Sequence, residues 1–163
     1  MVNGVIPALS LRPVWAWLAI RPDVTDPAAR AMLYELGQIK VIENRGWPTK
    51  YRGELLIHAG KKLTVDDYDA ALLFVEAFIC PSLAAIVPDI GELQAGGLVG
   101  RVNLVACVQA HPSPWFTGGS AIPSPRTVDE AHGTGYGFVL ENARPMPFVP
   151  YKGMQRFFNV RLP

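Results

Sequence analysis

Chain breakers set the first limit on this fold. The 163 residues include 15 glycines and 15 prolines, well above the roughly 12% that the two contribute to an average protein. Such density favours many turns and short strands over a helical bundle. Half of the chain is hydrophobic and 18% is charged, which argues for a folded globule rather than a disordered tail. The length suits a single domain with a sizeable core, taken here as residues 1–163.

The breakers also mark the elements. ALSLR (residues 8–12) alternates and predicts a short strand, after which Pro13 suits the first turn of a helix, VWAWLAI, ended by Pro22. Residues 27–36 predict a second helix with Ala28, Met32 and Leu36 on its apolar face and Gly37 closing it. KVIENRGW and RGELLIHAG are the next strands. Thr64 is an N-cap opening a helix whose stripe is Tyr68, Leu72, Val75 and Ile79, with Asp67 at the capping-box position and Pro81 at its end. Residues 81–97 are a connector, residues 98–110 a long half-buried strand, and residues 111–135 a loop long enough to suggest function or disorder. YGFVLENA and MQRFFNVRL are the last strands, on either side of the proline-rich RPMPFVP. The expected fold is α+β: a small barrel of five or six mostly antiparallel strands with two or three helices.

One stretch is hard to explain by packing alone. In GQIKVIENRGW, Lys40, Glu43 and Arg45 stand among Ile39, Val41 and Ile42. Alternate residues of a strand share a face, so Val41, Glu43, Arg45 and Trp47 lie on one side. Lys40 is out of phase, but it enters from the turn after Gly37 and can reach the same end. A surface ion pair would explain this pattern at less than about 1 kcal/mol. So would a rim where Arg45 forks onto a phosphate, Trp47 stacks and Glu43 accepts from an exocyclic amine.

Charge is concentrated in the same region. Six basic residues (Lys40, Arg45, Lys50, Arg52, Lys61, Lys62) face two acidic ones (Glu43, Glu54) in a chain of net charge +1. That is either a solvated basic face or the footprint of an anionic ligand. Arg12, just before a helix start, suits an anion equally well. Of Trp15 and Trp17, which cannot both face the core, Trp15 is the one expected at a cleft. His58 reads as a partly buried, hydrogen-bonded histidine, Lys61 and Lys62 as a phosphate-contacting rim, and Tyr136, between two glycines, as a ring presented to a ligand. Trp115 and Phe116 are a stacking lid if exposed and an anchor for the long loop if buried.

Other chemistries find little support. Cys80 and Cys107 lie apart with no CxxC or histidine-rich company, so neither a metal nor a disulfide is expected, and no cofactor is indicated. TGGSA around Ser120 is not GxSxG, and GGLVGR and GTGYG lack the spacing of a phosphate cradle. His58, His111 and His132 are scattered. No apolar run reaches the roughly 18 residues of a membrane span, and no secretory signal pattern opens the chain, so a cytoplasmic protein without a membrane partner is expected.

Gly37, Lys40, Glu43 and Arg45 form GxKxxExR, followed by Trp47, and this resembles the signature of the ASCH domain family, which shares its fold with PUA RNA-binding domains. The resemblance extends to ALSLRPVWAWLAI, RGELLIHAGKK, GLVGRVNLVACV and GYGFVLENARPMPFVPYKG, most of the chain. It implies a PUA-like β-barrel with helices around it, a cleft holding the motif, and binding of nucleic acid, most often RNA. Residues 23–38 look like an added helix and residues 117–134 like an elongated loop, both departures from the family pattern.

The expected partner is therefore RNA, another single-stranded nucleic acid or a nucleotide-like ligand. It would be held by Lys40, Glu43, Arg45 and Trp47, with Arg12 and Trp15 opposite and His58, Lys61 and Tyr136 nearby. A hydrolase is the alternative. Some small ASCH-like proteins are amidohydrolases acting on acetylated cytidine, which would make Lys40 catalytic. There a threonine occupies the position of Glu43, so here Glu43 would have to serve as a base toward water. Ribonuclease action by Lys40, Glu43 and Arg45 is the other enzymatic form. A protein-interaction module would rest on ARPMPFVP alone.

Overall fold

The computed structural model describes residues 4–118 and 135–162. The greater part of the long loop, with Ser120 and His132, lies outside them. Six strands form one mixed sheet: β1 (Val5–Leu11), β2 (Ile42–Arg45), β3 (Gly53–Ala59), β4 (Gly97–Val108), β5 (Tyr136–Pro150) and β6 (Phe157–Arg161), in the spatial order β2-β5-β4-β3-β1-β6. Only β1 and β3 run parallel; the other four pairings are antiparallel. The α+β class and the antiparallel majority are as expected.

Closure is not. β2 and β6 are the two edges and share no ladder, so the sheet is not a closed barrel. Its edges nevertheless meet through side chains. The Phe157 ring of β6 lies edge-on to Trp47 at 5.3 Å between centroids and stacks on Phe138 at 5.9 Å. Aromatic packing thus joins edges that hydrogen bonds leave apart.

Among the described residues four α-helices flank the sheet, where two or three were expected: α1 (Pro13–Ile20), α2 (Pro27–Glu35), α3 (Val65–Phe74) and α4 (Pro81–Ile86). The extra one is α4, whose six residues are too few to show a helical period. α1 and α2 carry proline in their first turn, and the carboxylate of Asp26 accepts from the Ala29 N–H at 2.9 Å. At α3 the Thr64 hydroxyl accepts from the Asp67 N–H at 3.0 Å. A π-turn over Val75–Ile79 then extends α3, closed by a 2.8 Å bond from the Cys80 N–H to the Val75 carbonyl. Tyr68, Ala71, Phe74 and Val75 are buried by this helix, and Leu72 and Ile79 only partly.

The expected apolar face of α2 is not the buried one. Ala28, Met32 and Leu36 are exposed, and Arg30 is the buried residue. Its guanidinium donates to the carbonyls of Ile20, Arg21, Val24 and Ala143 at 2.7–2.8 Å. An arginine thereby ties α2 to the end of α1 and to β5, where an apolar stripe would ordinarily do so.

RPMPFVP is not a separate segment: it continues β5, paired to β4 as far as Pro150 opposite Gly97. β2 covers only Tyr136–Val139 of this strand, so its proline-rich half is unpaired on that side, where a missing N–H costs no ladder bond. Tyr51 and Leu104 belong with a core in which α1 packs closely on β4. Closeness depends on Gly100, where a Cβ would stand 2.6 Å from Ile20 Cδ1. No helix among the described residues is long and apolar enough to cross a membrane.

Candidate functional site

A cleft of about 560 Å³ opens between β1, β2 and the start of α3. Ser10, Arg12, Trp15, Lys40, Glu43 and Arg45 line it, together with Asn44, Asp67, Phe74, Trp115 and Thr117.

The motif segment is fixed from behind by α1. The Lys40 N–H donates to the Leu18 carbonyl at 2.9 Å, and the buried Arg21 guanidinium donates to the Gln38 carbonyl at 2.7 Å while forking onto Asp23. Arg21 adopts a left-handed backbone at the end of α1, which turns its side chain back under the motif. From there Lys40 enters the cleft from the turn, as its phase required, rather than from within β2.

Lys40 and Glu43 are both buried, at 4% and 7% exposure. Lys40 Nζ donates to the Ile42 carbonyl and to Glu43 Oε2 at 3.3 Å, and lies 5.6 Å from the centre of the Trp15 ring. Burial pushes the Lys40 pKa below its ordinary value, while the attraction of Glu43 acts in the opposite sense. The other Glu43 oxygen, Oε1, faces Arg45 Nε at 3.7 Å. Arg45 Nη2 donates to the Ser10 carbonyl at 2.6 Å, but its buried Nε–H has no hydrogen-bond partner. One carboxylate is therefore shared by two cations, with an unmatched donor beside it.

The aromatic wall comes from helices and loop. Trp15 meets Phe74 edge-on at 5.9 Å, and Trp115 lies 6.0 Å from Phe74. Trp17 lies under the Arg21 guanidinium at 5.0 Å. Arg12 faces Asp67 at 3.6 Å across the mouth, both side chains well exposed.

Asn44 holds the loop side in place. Its amide donates to the Trp115 carbonyl at 3.0 Å and its oxygen accepts from the Thr117 N–H at 2.9 Å, imitating a strand pairing. Trp115 donates through Nε1 to the Gly37 carbonyl at 3.0 Å. Both Trp115 and Phe116 are fully buried, so they anchor the loop and do not form an exposed lid. Phe116 fits because β5 carries Gly137 there, where a Cβ would lie 2.7 Å from the ring.

Four expected residues stand elsewhere. Trp47 does not line the cleft: it packs on Phe138 and Phe157, with Arg156 over its ring at 5.0 Å. Tyr136 pairs with Arg45 across β5 and β2 and packs against the core. His58 is buried, bridging the Ser10 hydroxyl at 2.9 Å and the Tyr151 carbonyl at 2.7 Å. Lys61 is exposed, and with His58 it belongs to an adjoining groove. Ser10, Asn44, Asp67, Phe74 and Thr117 were not expected at the site from sequence, where Asp67 reads only as a capping residue. Asn44 alone had a signal there, since it lies inside the motif.

Among the described residues no three histidine, cysteine, aspartate or glutamate side chains are grouped to hold a metal ion. The family model described as ASCH domain matches residues 38–142, well over half of the chain. Lys40, Glu43 and Arg45 fall inside that interval, whereas Arg12 and Trp15, with β1 and α1, fall before it. No curated protein matches the chain.

Proposed function

Because this chain belongs to the ASCH domain family, we propose that its cleft takes an unpaired base of an RNA strand. The reading is carried by one observation, the buried Glu43 carboxylate set beside the unpartnered Arg45 Nε–H. Both side chains line the cleft, and that of Arg45 keeps part of its surface exposed, so with the Glu43 carboxylate it sets a donor beside an acceptor, the complement of a base edge that carries an N–H beside a carbonyl or ring nitrogen. Lys40 and Arg45 outnumber Glu43, so the floor keeps a net positive charge and favours electron-rich groups. Trp15 adds a ring at the wall, and the cleft volume lies within the range of small-molecule sites. A duplex keeps its bases stacked and paired, whereas a single-stranded or flipped base can enter a cleft.

The test is a binding comparison between one RNA sequence as a single strand and as a duplex, for wild type, Arg45→Ala and Glu43→Gln. Preference for the single strand, loss of affinity in Arg45→Ala and an altered base preference in Glu43→Gln support the reading. Equal affinity for both forms, or no response to either substitution, overturns it.

A second reading is hydrolysis of RNA or of a modified nucleoside, with Glu43 as base. The burial of Lys40 against Glu43, with its lowered pKa, is the observation in its favour. Mass spectrometry of RNA and modified nucleosides after incubation decides it. A product made by wild type and reduced at least about 100-fold in Glu43→Gln would make the protein an enzyme.

A further inference from the structure

Ser10, Leu11 and Arg12 form a wall with a cavity on each side. Beyond them a more open groove of about 1080 Å³ runs between Gly60–Lys62, after β3, and residues 150–155, at the end of β5 and just past it. Its charged lining residues are Arg12, Lys61, Lys62 and Lys152, and none of the residues lining it is acidic. The whole chain carries a net charge of only +1, so this concentration of cations is local.

We propose that this groove carries the sugar-phosphate backbone of single-stranded RNA on one side of the nucleotide whose base enters the cleft. The proposal rests on the RNA reading of the cleft and extends it to the flanking nucleotides. Continuity supports it, because Arg12 faces both cavities and can meet the phosphate that joins a base in one to a sugar in the other. The division of residue types supports it too. The cleft has Trp15, Phe74 and Trp115, whereas the groove has lysines around one tyrosine and an inward-turned histidine, a lining suited to phosphates more than to stacked bases.

The groove is also held rigid. A carbonyl can only accept, so His58 Nε2 donates to Tyr151, while Nδ1 pairs with the Ser10 hydroxyl. Gly153 packs against the imidazole, where a Cβ would be 2.5 Å from Cε1. The Tyr151 N–H donates to the Gly96 carbonyl at 3.1 Å. On the opposite wall the Lys61 stem rests on Gly96, with an added Cβ 3.2 Å from its Cγ and Cε. His58, expected at the ligand, is thus a positioning residue for the segment that presents Lys152.

The experiment uses a fluorescently labelled mixed-sequence RNA of about 10 nucleotides. Its affinity is measured against salt for wild type, for Arg45→Ala and for a variant with Lys61, Lys62 and Lys152 all changed to alanine. The three lysines are exposed, so the variant should keep the wild-type urea midpoint. Each phosphate contact on a single strand contributes about 0.7 to the slope of log K against log salt. The triple variant should therefore lose about 2 from that slope, with a similar loss for every sequence tested. An unchanged slope alongside weakened binding in Arg45→Ala overturns the groove and leaves the cleft reading standing. No RNA binding at all overturns both. Binding of polyglutamate that depends on the three lysines, with no RNA effect, assigns the groove to an acidic protein and overturns the RNA track.

Discussion

Replacing Glu43 by glutamine removes a charge and almost no volume. It leaves Lys40, itself buried, with the Ile42 carbonyl and the Trp15 ring but no counter-ion. Breaking a buried pair by removing one partner typically costs about 3–5 kcal/mol. Here the lower end applies, because Lys40 retains that carbonyl acceptor and Glu43 sits at the wall of an open cleft. A loss of about 3 kcal/mol, with a urea dependence of about 2 kcal/mol per molar, lowers the unfolding midpoint by about 1.5 M. Lys40→Met combined with Glu43→Gln should recover about 2 kcal/mol of that loss, since no bare cation then remains.

The penalty should also depend on pH in a definite direction. Lys40 titrates near 10.5 when unfolded and lower when folded, because burial disfavours its charge. Between the two values the unfolded chain holds more protons, so stability rises with pH through that window. Loss of Glu43 lowers the folded value further and widens the window. The penalty of Glu43→Gln, measured against wild type, should therefore shrink as pH rises toward 10.5. Urea titrations at several pH values test this. A Glu43→Gln variant within about 0.5 kcal/mol of wild type, or one whose penalty grows with pH, would refute a buried lysine held by this carboxylate.

Further expectations concern the supports of the cleft. Gly137→Ala places a methyl against Phe116 and Ile42 and should destabilise by about 1–3 kcal/mol in urea unfolding. Asn44→Ala leaves the Trp115 carbonyl and the Thr117 N–H without their partner and should cost about 1–3 kcal/mol, visible as a lower midpoint. Trp15→Ala removes the ring at the wall and should weaken RNA binding by about 1–3 kcal/mol if a base stacks there, read by titration. Trp47→Phe, away from the cleft, should leave RNA affinity within about twofold while lowering stability through its contacts with Phe138 and Phe157.

The motif cluster was legible because strand parity is strict: Glu43 and Arg45 two apart must share a face, and Gly37 let Lys40 come in from the turn. Trp47 obeyed the same parity and still left the cleft. β2 ends at Arg45, and beyond it Phe138 of β5 and Phe157 of the edge strand β6 offered an aromatic pocket. No local pattern encodes that meeting of distant strands. Arg30 misled for a related reason, since four carbonyls from three separate segments satisfy it and none adjoins it in sequence. α4 was too short to show a period. RPMPFVP looked like a break because proline usually is one; an unpaired strand side removes the objection. The Ser10–His58 pair depends on the parallel register of β1 and β3, which single strands do not reveal.

The central claim is that the Lys40, Glu43 and Arg45 floor recognises an unpaired RNA base. Its most direct test is fluorescence anisotropy of a labelled single-stranded RNA with wild type and Arg45→Ala, at matched salt and under conditions where both proteins are fully folded. Arg45 supplies the one buried side-chain donor without a hydrogen-bond partner among the described residues. Its loss should weaken binding by about 10-fold or more, the worth of a hydrogen bond from a charged group. Equal affinity of the two proteins for the single strand would contradict the account.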